Sequence, residues 1–142
     1  MRYYQHARLL SAGLSRLLRD NAEIRAIIPE LSIVTPANAG LPVAYGVCEA
    51  LRARQVYWAE REDTGQPMRF SGRNLREMQE LLESRGARVV ALAVIVYQPT
   101  PRTRDFGELP LYYLAKLNAS YFADAAHCDL CEEGAPLQKV WM

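Results

Sequence analysis

The stretch Thr35-Pro36-Ala37-Asn38-Ala39-Gly40 is the part of this chain best suited to chemistry. A short apolar strand, Leu31 to Val34, runs into it, and a helix opens after it with Pro42 in the first turn. Strand, tight turn and helix N-terminus together present free backbone N–H groups to an anion. Pro36 has no N–H, so Ala37, Asn38, Ala39 and Gly40 would carry the contact. Their small side chains let a phosphate approach the main chain closely. An ordinary turn between a strand and a helix would look the same in isolation. A side chain at Gly40 is expected to crowd the ligand while sparing the apolar core.

Other reactive groups are sparser. Glu60, Glu62 and Asp63 could bind magnesium, or could solvate a loop and pair with nearby arginines. Cys128 and Cys131, with His127 and Cys48, could supply four zinc ligands, but a single C-x-x-C is a weak signal. Cys48 falls on an apolar helical face and reads as core, so no metal ligand is assigned. Ser11, Ser15 and Ser84 have no nucleophile-elbow context. His6 has no partner in sequence and reads as a surface residue.

The elements that must position the turn are legible from periodicity. Residues 5–19 place Leu10, Leu14, Leu17 and Leu18 on one helical face. Ile24, Ile27 and Ile28 form a second short helical turn, stopped at Pro29. The helix after the central turn has apolar residues at Ala44, Val47, Cys48 and Leu51. Residues 55–60 are β-rich, and residues 61–67 are polar and turn-forming, as in a loop or hairpin tip. Asn74 is placed to cap a helix through Arg85, with Leu75, Met78 and Leu82 on one face. Gly86 suits the left-handed position after it. Residues 89–96 form a near-continuous apolar run, the pattern of a strand buried on both faces of a parallel sheet. Residues 99–108 form a loop, and residues 109–117 an edge strand. The expected class is α/β, with parallel strands near 31–35 and 89–96 and the site at their C-terminal ends.

Composition narrows the function. The 142 residues suffice for one domain, residues 1–142, with its own core, and no linker or repeat divides them. Half the residues are hydrophobic and 23% are charged, as in a soluble globular chain. A net charge of +1 gives no field for nucleic acid. No apolar run approaches a membrane span, and the N-terminus has no signal-peptide core. Three cysteines are too few for a disulfide framework, which points to a reducing cytoplasm.

The order of landmarks resembles the orotate phosphoribosyltransferases, a type I phosphoribosyltransferase family. The matching stretches are Thr35 to Gly40, Ala59-Glu60-Arg61-Glu62, Glu80 through Val96, Pro110-Leu111-Tyr112, and Cys128 through Leu137. The resemblance implies a parallel sheet flanked by helices, in a reduced or incomplete form. It also implies a magnesium-dependent homodimer that transfers ribose 5-phosphate from phosphoribosyl pyrophosphate (PRPP) to a nucleobase. Under it, Ala37 to Gly40 are the pyrophosphate loop and Arg61 is the basic residue of the catalytic loop. Arg69 is a second basic group near that loop. Ser71 and Gly72 are what remains of the Thr/Gly loop over the 5-phosphate.

Two departures accompany the resemblance. The family's buried strand ending in two acidic residues has no counterpart between Phe70 and Ser71, and the family's N-terminal segment is also absent. Gln98 stands where the family reads orotate with arginine, so the base is left open. Losing a central strand exposes backbone groups on both neighbours. A longer parent protein with segments absent from this sequence is therefore the favoured expectation, and an intact mass well above 16.1 kDa would establish it. The alternative is a noncatalytic homologue that binds a nucleotide or phosphate, or regulates a partner. A small zinc module is a third reading.

Overall fold

The computed structural model describes residues 2–36, 40–59, 73–100, 103, 106–122 and 125–136. In chain order these give α1 (Arg2–Asp20), α2 (Ala22–Ile27), β1 (Ser32–Pro36), α3 (Leu41–Leu51) and β2 (Gln55–Ala59). Then come α4 (Arg73–Ser84), β3 (Leu92–Tyr97), β4 (Leu111–Lys116) and the short α5 (Asp129–Glu132). The result is a mixed α/β arrangement. Among the described residues no helix is long and apolar enough to cross a membrane.

The core forms where α1 and α3 cross. Leu14 and Leu18 of α1, Ile24 of α2, and Val47 and Leu51 of α3 make one buried cluster. The buried stripe of α1 differs from the leucine face read in the sequence, because it also contains Ser11 and Ser15. Small side chains are needed there, since the two helices meet closely. A Cβ added at Gly46 of α3 would lie 2.7 Å from Ser11 Cβ. The serines remain satisfied: the Ser11 hydroxyl is shared between Ala7 O at 2.7 Å and Val43 O at 3.1 Å. Ser15 donates to Ser11 O at 2.7 Å. Burying hydroxyls without such partners would cost stability.

The strands form two parallel pairs rather than one sheet. β1 pairs with β2 from Ser32↔Gln55 to Pro36↔Ala59. β3 pairs with β4 from Leu92↔Leu111 to Tyr97↔Lys116. Among the described residues no ladder joins β1 to β3. Both pairs nevertheless lie against one helical layer. Ile33 of β1 and Ile95 of β3 pack on the same buried cluster, and Leu114 of β4 touches both that cluster and the α1 backbone at Gly13. The pairs therefore sit side by side, with a break between them.

That break corrects the reading of residues 89–96. Regular strand starts only at Leu92, and Ala93 and Val96 are exposed, so the run is not buried on both faces. Its apolar composition outstrips the cover available to it. A smaller correction concerns Asn74, which lies inside the first turn of α4 because the helix starts at Arg73. Gly86 does take the left-handed conformation, at φ +80.

Arg52 follows α3 at φ 59, and its N–H is bonded to Cys48 O and Glu49 O. A non-glycine residue in this left-handed cap carries backbone strain. Arg52→Gly should raise stability by about 0.5–1 kcal/mol, read as a higher urea midpoint at unchanged m-value.

Candidate functional site

The turn sought in the sequence lies between β1 and α3. Gly40 is the N-cap of α3, at φ −82 and ψ −16, and no side chain caps the helix. Pro42 occupies the first turn, so it removes an N–H that would otherwise lack an intrahelical partner. The remaining early N–H groups lie at the positive end of an 11-residue helix, which the chain reaches from the end of β1. The parallel register ends at Pro36↔Ala59. The chain therefore enters the 37–40 turn and the segment after β2 from the same end of the sheet. Ala37, Asn38, Ala39, Glu60, Arg61, Glu62, Asp63, Arg69, Ser71 and Gly72 lie outside the described residues.

Gly40 has a structural role that sequence reading missed. A Cβ there would overlap Thr35 Oγ1 and come within 3.4 Å of Thr35 Cβ. Thr35 is buried, so it has little room to yield. Substitution at Gly40 thus disturbs the strand end as well as any ligand, contrary to the expectation that the core is spared. Gly40→Ala should cost about 1–3 kcal/mol by overpacking. Thr35→Ala should recover part of that in the double variant, with a coupling of about 0.5–3 kcal/mol. Urea unfolding of the four proteins measures it.

Gln98 follows β3 directly. It is exposed, and its side-chain amide donates to the Tyr121 hydroxyl. This contact spans 23 residues and no sequence signal announces it. It ties the tail after β4 to the end of β3, where the notional base-reading residue sits.

The cysteines do not assemble a metal centre. Among the described residues, no three histidine, cysteine, aspartate or glutamate side chains are placed to hold a metal ion. Cys48, His127, Cys128 and Cys131 are therefore not brought together as a four-ligand zinc set, and the acidic residues named for magnesium lie outside the described residues. Cys48 directs its thiol toward Ala53 O at 3.5 Å, and burial pushes its pKa up. Cys131 is also shifted up, first by a side-chain hydrogen bond with Cys128 and then by burial. All three cysteines are free thiols, and these two shifts favour the protonated, less reactive form.

Comparison with known proteins decides the family. An orotate phosphoribosyltransferase of Carboxydothermus hydrogenoformans is 30% identical over 152 residues, covering 94% of this chain and 74% of that protein. The chain belongs to the orotate phosphoribosyltransferase family. The orotate phosphoribosyltransferase of Thermotoga maritima is 30% identical over 126 residues, 76% of this chain and 65% of that protein. The Thermus thermophilus family member is 28% identical over 127 residues, 76% of this chain and 67% of that protein. No family model matches the chain. The chain spans about two thirds to three quarters of these family members. The first alignment runs over 152 positions, more than the 142 residues present. Within the matched span, that family member carries residues with no counterpart here.

Proposed function

We propose that the chain is a phosphoribosyltransferase, related to those acting on orotate, that binds PRPP by its pyrophosphate over Ala37, Asn38, Ala39 and Gly40. The observation carrying this reading is the uncapped α3 N-terminus at the end of β1, beside the end of β2. Backbone N–H groups there would hold the leaving pyrophosphate as the bond from C1′ to its oxygen breaks and a bond to the base nitrogen forms. Arg61, Arg69, Ser71 and Gly72 would add contacts to the phosphates. Charge developing on the leaving group is what such fixed dipoles and cations stabilise best. Gln98 would face the base, which stays unassigned because an amide reads different edges from those an arginine reads. Family membership also supports magnesium as cofactor, a homodimer and a cytoplasmic setting as parts of the proposal.

The break between the two strand pairs favours a second reading for the 142-residue form. In it, the chain binds phosphate or a nucleotide without transferring ribose. One set of assays separates them: pyrophosphate calorimetry, and PRPP consumption with orotate, uracil and other bases, each with magnesium present. Binding with base-dependent PRPP consumption supports the transferase. Binding without consumption supports the noncatalytic homologue. Absence of binding at millimolar pyrophosphate contradicts both.

A further inference from the structure

The paired cysteines of the tail belong to neither the anion site nor the buried core. Cys128 is the N-cap of α5, in extended backbone at φ −116 and ψ 108, and Cys131 lies inside the helical turn that follows. The Cys131 N–H donates to Cys128 O at 2.9 Å, and the Glu132 N–H donates to the same oxygen at 3.0 Å. A turn closed in this way holds its first and fourth Cα atoms less than about 7 Å apart. A disulfide spans about 4.4–6.8 Å between Cα atoms, so the backbone already suits one. The two thiols meet through a side-chain hydrogen bond. Both are free, Cys128 is half-buried, and Cys131 is exposed together with the rest of 129–136. Cys48 is a thiol of a different kind, carried on α3 and pointed at Ala53 O.

We propose that Cys128 and Cys131 are a surface dithiol that a low-molecular-weight disulfide converts to an intramolecular disulfide. In the first step the Cys131 thiolate attacks one sulfur of the small disulfide. A mixed disulfide forms and one small thiolate leaves. In the second step the Cys128 thiolate attacks Cys131 Sγ. The Cys128–Cys131 bond forms and the second small thiolate leaves. The two protons of the protein thiols end on the two departing thiolates. The protein pair is oxidised by two electrons, and the small disulfide is reduced to two thiols. Cys131 takes the first step because it is the exposed member of the pair. Asp129, Glu132 and Glu133 flank it, so a cationic disulfide approaches more readily than an anionic one. The hydrogen bond with Cys128 keeps Cys131 protonated, which slows its attack and makes it a poor leaving group. The disulfide therefore forms slowly and, once formed, resists reduction. Neither step depends on the transferase reading.

The test equilibrates the reduced chain with excess cystamine, a cationic small disulfide, in the presence of its thiol, cysteamine. Acid quenching then allows intact mass, free thiols and cross-linked peptides to be read. Wild type should keep one of its three thiols and lose the mass of two hydrogens, with the cross-link mapped to Cys128 and Cys131. At about 1 mM cysteamine the internal disulfide should exceed the cysteamine adduct at least about tenfold, because a closed turn gives an effective concentration above the millimolar level of a flexible linker. Cys128→Ser removes the second attacking sulfur and should retain cysteamine on Cys131. The wild-type mass and peptide map decide the matter even if that variant folds poorly. Cysteamine retained on Cys131 of wild type, a disulfide to Cys48 or between two chains, or three thiols left free at equilibrium would overturn the proposal.

Discussion

Replacing Leu51 with alanine should destabilise the protein by about 2–5 kcal/mol. Leu51 is 1% exposed and the most fully buried large side chain among the described residues. It closes α3 against Leu14, Leu18, Ile24 and Val47, so its removal leaves a void where helices and strands converge. The surrounding groups cannot collapse freely, because α1 and α3 are already in close contact at Ser11 and Gly46. Domains of this kind are stable by about 5–15 kcal/mol in total, so the loss is a large fraction. Thermal unfolding by circular dichroism should show a midpoint lower by roughly 3–4 °C for each kcal/mol lost. A shift under 2 °C would mean that the core is not centred on this residue.

Arg61→Ala should weaken pyrophosphate binding about tenfold to a hundredfold or more, equivalent to about 1.5–3 kcal/mol. Removing a charge-assisted contact to an anion has that magnitude when the site excludes water. The chain reaches Arg61 from the end of β2, which lies beside the end of β1. Arg61→Lys should restore part of the affinity, since the charge returns without the bidentate fork. Calorimetry at fixed magnesium and ionic strength measures both variants. Equal affinity in wild type and Arg61→Ala would remove this residue from the site.

Local patterns carried most of the elements into view. Leu14 and Leu18 announced α1 by spacing, Pro42 marked the first turn of α3, and Gly86 took the left-handed position its type suggested. Partner choice between strands was less legible. The 89–96 run looked central by composition, yet β3 pairs only with β4 among the described residues, because pairing depends on what lies at the other edge. Leu75, Met78 and Leu82 read as one face of α4, and the burial of Gln79 beside them was not foreseen. The Gly40–Thr35 contact and the Gln98–Tyr121 bond both depend on how the chain returns on itself, which no periodicity encodes. The candidate anion turn was legible because strand, small residues and helix start are consecutive. Its supporting contacts were not.

The central claim is that an anion binds over the backbone that joins β1 to α3. Titrating pyrophosphate with magnesium into ¹⁵N-labelled protein, and following backbone amide shifts, tests it most directly. The largest shifts should fall on Ala37, Asn38, Ala39, Gly40, Leu41 and Val43, and should saturate with one ligand per chain. Shifts confined to other residues, or none at millimolar pyrophosphate, would leave this turn as a connection between a strand and a helix and nothing more.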